Sequence, residues 1–153
     1  MPYRLDTEER VHIYMDEFYC LSNFAAFRLT WKGVDWDTSE HAYQASKFTD
    51  PSVRHRIQFT RSAHAAFKIA DAYRHIRRPD WESVRLDVMR EIIRAKHEQH
   101  QYVKVKLLET GDREIVEDSW RDDFWGTGPD GTGQNWLGKL WMELRDEIRA
   151  RDT

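Results

Sequence analysis

Thr38-Ser39-Glu40-His41-Ala42-Tyr43-Gln44-Ala45-Ser46-Lys47-Phe48 is the stretch on which the reading of this chain turns. Residues three, four and seven apart share one face of an α-helix. On that spacing Glu40, Tyr43, Gln44 and Lys47 form one stripe, while Ala42, Ala45 and Phe48 give the other side small or apolar groups to pack. The stripe carries a carboxyl group, a ring, an amide and a primary amine. Seven helical steps put Glu40 and Lys47 about 10 Å apart, too far for a direct ion pair but close enough to face one small ligand. A plainer reading uses the same residues. Asp37 is then the N-cap, Glu40 its capping-box partner and Lys47 an ordinary solvated lysine.

Upstream, Val11 to Tyr19 alternates weakly, with Val11, Ile13 and Met15 set against His12, Tyr14 and Asp16, and predicts a strand. Phe27–Trp31 and Val34–Trp36 flank Lys32-Gly33, a hairpin tip. The helix beginning near Ser39 is expected to stop before Pro51, because the residue preceding a proline is driven from the α region. Short helices are expected near Ser52–Phe59 and from Ser62 to about Tyr73. Asp80 reads as the N-cap of the longest helix, Trp81 to about His97. A further helix through Val103–Leu108 ends at Thr110-Gly111, a C-cap signal. Ile115-Val116 adds a short strand. The last helix runs from about Asn135 to Ala150 on the apolar stripe Leu137, Leu140, Trp141, Leu144 and Ile148. Repeats, linkers and low-complexity segments are absent, so residues 1–153 are expected to form a single domain.

At 153 residues the chain is long enough to bury a real core, and a net charge of −3 gives it no global pull toward nucleic acid. That mean hides an asymmetry. From Arg54 to Arg78 there are seven Lys or Arg against one acid, Asp71; from Glu109 to Asp130 eight acids face only Arg113 and Arg121. The basic segment is either a phosphate-facing surface or the wet face of a helix pair. One cysteine, Cys20, excludes an internal disulfide and a cysteine-based zinc site. Met1–Arg10 lacks the apolar stretch of a signal peptide, and no apolar run approaches the roughly 18 residues of a membrane span, so a cytoplasmic protein without membrane contact is expected. The seven histidines show no helical pair backed by a third ligand, and no metal site is expected. Four of the seven glycines fall in Gly126–Gly133, immediately before the last helix. Such a loop is either a phosphate-binding nest of backbone amides or a long turn.

Several stretches in order resemble one family. They are Leu21-Ser22-Asn23-Phe24, the Thr38–Phe48 run, Trp81 through Arg94-Ala95-Lys96, and Leu107-Leu108-Glu109-Thr110. Glu117, Asp122-Asp123-Phe124-Trp125-Gly126, Gly133-Gln134-Asn135-Trp136-Leu137-Gly138 and Met142-Glu143-Leu144-Arg145 follow. From about residue 12 to 149 the chain resembles the YbiA-like, or NADAR, family of N-glycosidases. The resemblance implies a compact α+β domain, predominantly helical with a small N-terminal antiparallel sheet, which agrees with strands first and helices after. It also implies hydrolysis of C–N glycosidic bonds of ribosyl compounds. One branch acts on ribosylamino-pyrimidine phosphates from early riboflavin biosynthesis and releases ribose 5-phosphate; another removes ADP-ribose from guanine bases. Carried over by motif, Glu40 matches the active-site glutamate and Lys47 a lysine that forms a Schiff base with the sugar. Trp81, Glu117, Asp122, Trp125 and Asn135 match other pocket positions. Lys96-His97 departs from the family's Lys-Phe, and the Ile69–Arg78 stretch is shorter than in relatives, which bears on substrate identity.

The residue types suit that chemistry. Breaking a ribosylamine requires a proton for the leaving nitrogen or ring oxygen and control of the cation at C1. A carboxylic acid among aromatic walls holds its proton, which makes Glu40 the candidate general acid. Asp122 or Glu117 is the candidate second carboxylate. A lysine amine can capture the opened sugar as an imine; Lys47 is the first candidate and Lys96 the competing one. Trp125 and Trp81 are candidates to stack on base or sugar, and the amides of Asn23 and Asn135 to hold ribose hydroxyls or, alternatively, to cap turns. Tyr43, Gln44 and Gly126 complete the candidate binding set. The expected partner is a small ribosyl phosphate and no cofactor is called for. ADP-ribosylated nucleic acid is the alternative substrate, and a non-catalytic ADP-ribose or nucleotide-binding module the reading from another class.

Overall fold

The computed structural model describes residues 7–13, 16–119 and 121–152. Its elements run β1 (Arg10–His12), a 3-10 segment (Asp16–Leu21), β2 (Leu29–Trp31), β3 (Val34–Trp36), α1 (Ser39–Ala45), α2 (Pro51–Phe59) and α3 (Ala63–Ala72). A second 3-10 segment (Arg74–Ile76), α4 (Trp81–Gln99), α5 (Gln101–Glu109), β4 (Glu114–Val116) and α6 (Trp136–Arg151) follow. Helices dominate and the strands form two small ladders, an α+β architecture. The chain divides into two compact units. One is Asn23–His100; the other combines the segment up to Ser22 with everything from Gln101.

In the Asn23–His100 unit, the Lys32-Gly33 tip takes left-handed backbone at both positions, φ 53° and 76°, as a two-residue hairpin turn requires. β2 and β3 accordingly pair antiparallel, Leu29 opposite Trp36. α1 packs on α2, α3, α4 and β3 together, and every one of its residues is buried. The expected division into a polar stripe and a packing face therefore gives way to a helix enclosed on all sides. α1 also stops earlier than proline placement alone predicts. The Ser46 hydroxyl turns back onto the Ala42 carbonyl at 2.7 Å, and the Arg54 guanidinium from α2 takes the carbonyls of Ala45 and Phe48 at 2.9 and 3.2 Å. A cation on the last carbonyls suits the negative end of a helix. α4 begins at Trp81 as expected, but Asp80 does not cap it with its side chain. Its carboxylate is instead held by Arg78 Nε and Nη2 at 2.6 and 2.8 Å.

In the other unit the expected strand Val11–Tyr19 shrinks to Arg10–His12, with Tyr14 and Met15 outside the described residues. Residues from 16 onward turn into the 3-10 segment, which packs on α5 with Phe18 and Leu21 buried. A three-residue alternation cannot tell a strand from a turn with two inward residues. β1 pairs with β4 in parallel, Val11 opposite Ile115, a partnership that alternation does not reveal. α5 ends at Glu109 and the left-handed Gly111, φ +65°, follows it, in line with the C-cap signal. α6 lays Leu137, Leu140, Trp141, Leu144 and Ile148 into the core and packs on β4. No helix among the described residues is long and apolar enough to cross a membrane.

Candidate active site

Within Asn23–His100 the decisive run is built around its first turn. Thr38, not Asp37, is the N-cap: its Oγ1 accepts the His41 amide at 3.1 Å. The capping-box reading of Glu40 is thereby overturned, since the third helical position is His41. The Glu40 amide instead donates to the Asn23 carbonyl at 3.0 Å. With that backbone bond fixed, the Glu40 side chain points into the unit, only 6% exposed, and its Oε2 accepts from Gln44 Nε2 at 2.8 Å. His41, fully buried, uses both ring nitrogens. Nε2 must carry a hydrogen to donate to the Thr60 carbonyl at 3.0 Å, and Nδ1 lies 2.8 Å from Thr38 Oγ1.

Tyr43 and Trp81 form a tilted ring pair with centroids 5.3 Å apart. Lys47 Nζ lies 5.2 Å from the Tyr43 ring centre, past the end of α1 in a tight turn where Lys47 N bonds to Gln44 O. Lys96 is wholly buried on α4, its Nζ 3.5 Å from Ser39 Oγ and 5.5 Å from the Phe27 ring centre. Asn23 directs Nδ2 toward Met89 Sδ at 3.5 Å. Six of the expected site residues, Asn23, Glu40, Gln44, Tyr43, Lys47 and Trp81, thus share the two turns of α1 and what they touch, and Lys96 joins them through Ser39. A second cationic layer lies at the far end of α1. The Arg78 amide bonds the Lys47 carbonyl at 2.7 Å, and burial together with the neighbouring Arg78 charge draws Arg54 below its ordinary value.

The remaining candidates, Glu117, Asp122, Trp125, Gly126 and Asn135, belong to the other unit and gather about one loop. Asp122 Oδ1 accepts the amides of Phe124 and Trp125 at 2.9 and 2.8 Å, closing the turn that holds the Trp125 ring edge-on to Phe124. Gly126 has no room for a side chain: a Cβ there would stand 2.7 Å from the Glu117 carbonyl. Asn135, left-handed at φ 54°, makes no cap of its own. Its Oδ1 takes the Glu117 amide and its Nδ2 gives to the Ile115 carbonyl, both at 2.9 Å. The amide expected to meet ribose is therefore occupied in stitching α6 to β4. The glycine loop is not a phosphate nest. Its amides at Thr127, Gly128, Gly131 and Gly133 and those opening α6 at Trp136 and Leu137 bond to carbonyls, and Asp123 and Asp130 line the adjoining cavity. Repulsion by two carboxylates would oppose an anion there.

A NADAR domain model matches residues 9–149. The chain belongs to the NADAR family. It is 41% identical to N-glycosidase YbiA of Escherichia coli (strain K12) over 133 residues, 87% of this chain and 83% of that protein. It is 40% identical over 129 residues to riboflavin biosynthesis protein VVA0006 of Vibrio vulnificus, of which the chain spans only 35%. The NMR structure of E. coli YbiA superposes with a TM-score of 0.86 at 37% identity, covering 97% of this chain and 89% of that one. The NADAR assignment accounts for the ordered motifs, while the side-chain geometry adds residues that motif reading missed. Ser39, against the buried lysine, and His41, which locks the first turn, both lie inside the quoted run. Arg54 carried no signal beyond its charge. The His12–Asp118 pair, with Nδ1 2.6 Å from Oδ2, joins residues 106 apart in sequence and was beyond the reach of spacing.

Proposed function

We infer that this protein cleaves the C–N bond of ribosylamino-pyrimidine phosphates and releases ribose 5-phosphate, with Glu40 as its general acid. The chain is a hydrolase of N-glycosyl compounds; its NADAR relatives named N-glycosidase match it over most of their length. The finer reading, of substrate and residue roles, is carried by one observation: a carboxyl group enclosed on α1, one oxygen held by a neutral amide, beside the Tyr43–Trp81 ring pair. The riboflavin names of VVA0006 and a maize protein favour the pyrimidine substrate.

The exocyclic nitrogen pushes electrons toward C1 as Glu40 protonates the ring oxygen, and the sugar opens to an imine. Lys47, unprotonated, adds to C1; a proton passes to the pyrimidine amine, which leaves, and a lysine imine remains. Water adds to that imine, the lysine departs, and the freed aldehyde recloses as ribose 5-phosphate. One C–N bond is broken, one water is consumed, and Glu40 recovers its proton. Lys47 suits the nucleophile better than Lys96 because it is partly open to solvent, whereas Lys96 is sealed at 0% exposure. Lys96 then ties α4 to the first turn of α1 through Ser39 Oγ. Asp122 is the candidate second carboxylate, although its Oδ1 is already engaged by two amides.

A second reading, removal of ADP-ribose from guanine in nucleic acid, draws on the cation-rich α2–α3 segment and the 70% exposed Phe59 beside it. The test gives purified protein a ribosylamino-pyrimidine 5-phosphate and, separately, an oligonucleotide bearing ADP-ribosyl-guanine. Release of ribose 5-phosphate is expected. Loss of ADP-ribose alone replaces the first reading with the second, and binding without turnover of either removes both.

A further inference from the structure

Buried polar atoms in native proteins are almost always matched, and one that is not calls for a physical cause. Gln44 supplies such an atom at the centre of the site. The residue is 3% exposed, and among the described residues no donor reaches its Oε1. The orientation of the amide is fixed by its neighbour. Its Nε2 donates to Glu40 Oε2 at 2.8 Å, so the NH2 group faces the carboxyl group and the carbonyl faces away. Asn23, whose backbone carbonyl holds the Glu40 amide, also has a buried Oδ1 with no donor among the described residues. Around the acid, then, the unmatched atoms are acceptors, and they suit a ligand that brings donors.

We propose that Gln44 is the specificity-determining residue of the site: Nε2 holds the Glu40 carboxyl group, and Gln44 Oε1 accepts the hydroxyl next to the anomeric carbon. This inference rests on the N-glycosidase reading. An acid that protonates the nitrogen on C1 or the ring oxygen stands near the 2-carbon of the sugar, and the amide one helical turn along is the neighbour best placed for the 2-hydroxyl. Bonds to that hydroxyl strengthen as charge develops at C1 in glycoside cleavage. A site built to bond a hydroxyl rejects the analogue lacking it, because its own buried acceptor is left unmatched.

The experiment compares ribosylamino- and 2-deoxyribosylamino-pyrimidine 5-phosphates on the native protein and on Gln44→Met, each rate divided by the uncatalysed rate of the same compound. The native protein is expected to favour the ribosyl compound by about 5- to 150-fold in kcat/KM, the worth of one unmatched buried polar group. Gln44→Met, which also removes the bond to Glu40, is expected to slow both compounds and, beyond that, to retain less than roughly a threefold preference. A merely structural glutamine would depress both substrates alike and leave the preference intact, which overturns the proposal. Absence of a preference in the native protein does so without any variant, and erasure of the preference by Asn23→Leu moves the contact to Asn23. If the native protein turns over neither compound, the glycosidase reading itself fails, a result distinct from turnover without discrimination.

Discussion

Gly138→Ala tests the packing that holds α6 to β4. A Cβ at residue 138 would stand 2.0 Å from the Ile115 carbonyl oxygen and 2.5 and 2.7 Å from the Asn135 amide atoms. Comfortable contact needs roughly 3.5 Å, so α6 must retreat from β4 by about 1.5 Å. Overpacking of this kind costs about 1–3 kcal/mol. The retreat also strains the two 2.9 Å bonds from Asn135 to Ile115 O and Glu117 N. Orphaning even one of these buried groups adds about 1–3 kcal/mol. The expected loss is about 2–6 kcal/mol against a total stability of about 5–15 kcal/mol, equivalent to a fall in Tm of roughly 4–24 °C. Thermal unfolding followed by circular dichroism reads it directly. Gly111→Asn is the control: φ is +65°, nothing lies within 4 Å of its Cβ, and asparagine tolerates that backbone, so little change is expected. Because part of the penalty passes through Asn135, Gly138→Ala combined with Asn135→Ala should cost less than the sum of the two. A Gly138→Ala protein melting within about 2 °C of the native one would refute the close approach.

Glu40→Gln keeps the shape of the side chain and an acceptor for Gln44, so the variant is expected to fold and to lose about 10²- to 10⁴-fold in kcat/KM; retained turnover would return Glu40 to a structural role. Borohydride added during turnover should reduce a sugar adduct onto Lys47, read by peptide mass spectrometry, and an adduct on Lys96 would exchange the roles of the two lysines. The Asp80 carboxyl is held below its usual range by its hydrogen bonds to Arg78. A depressed carboxyl stabilises the fold fully above its unfolded pKa of about 3.9 and loses that contribution as pH falls through the folded value. The melting deficit of Asp80→Asn should therefore be constant from pH 5 to 8 and close below about pH 4, and a deficit that persisted in acid would mean that Asp80 acts by shape rather than charge.

What the sequence made legible were features fixed by near neighbours. Lys32-Gly33 announced its turn because backbone sterics act over two residues, and Gly111 announced a helix end for the same reason. α4 and α6 declared themselves by stripes long enough to be unambiguous. The failures depend on a distant segment. Local spacing offered Asp37 as the cap, whereas the helix is capped by Thr38 and its Glu40 amide is held by the Asn23 carbonyl from 17 residues upstream. The end of α1 was decided by Arg54 reaching back from α2, and the β1–β4 pairing by two segments over 100 residues apart. The same limit governs the site. Motif order picked out Asn135 and Asp122, yet only the space around them reveals that the Asn135 amide bonds to backbone on both sides and that Asp122 closes a turn.

α1 exposes a contrast that bears on function more directly than any single distance. Ser39, Glu40, His41 and Gln44 are all buried there, in a helix where leucine and alanine would pack without desolvation cost. Their polar atoms divide into two kinds. His41 has a partner for each ring nitrogen and joins the cap of α1 to the end of α2; it is costly to bury but matched, and its effect is rigidity. Gln44 is matched on one side only, and the matched side faces the carboxyl group. Selection for stability alone would have removed a half-matched amide, since stabilising exchanges at such sites are readily found. Local rules are broken in folded proteins chiefly where function requires it. The rigid half of the helix and the unmatched half are one turn apart, so the residue that holds the acid in place also leaves an open acceptor beside it.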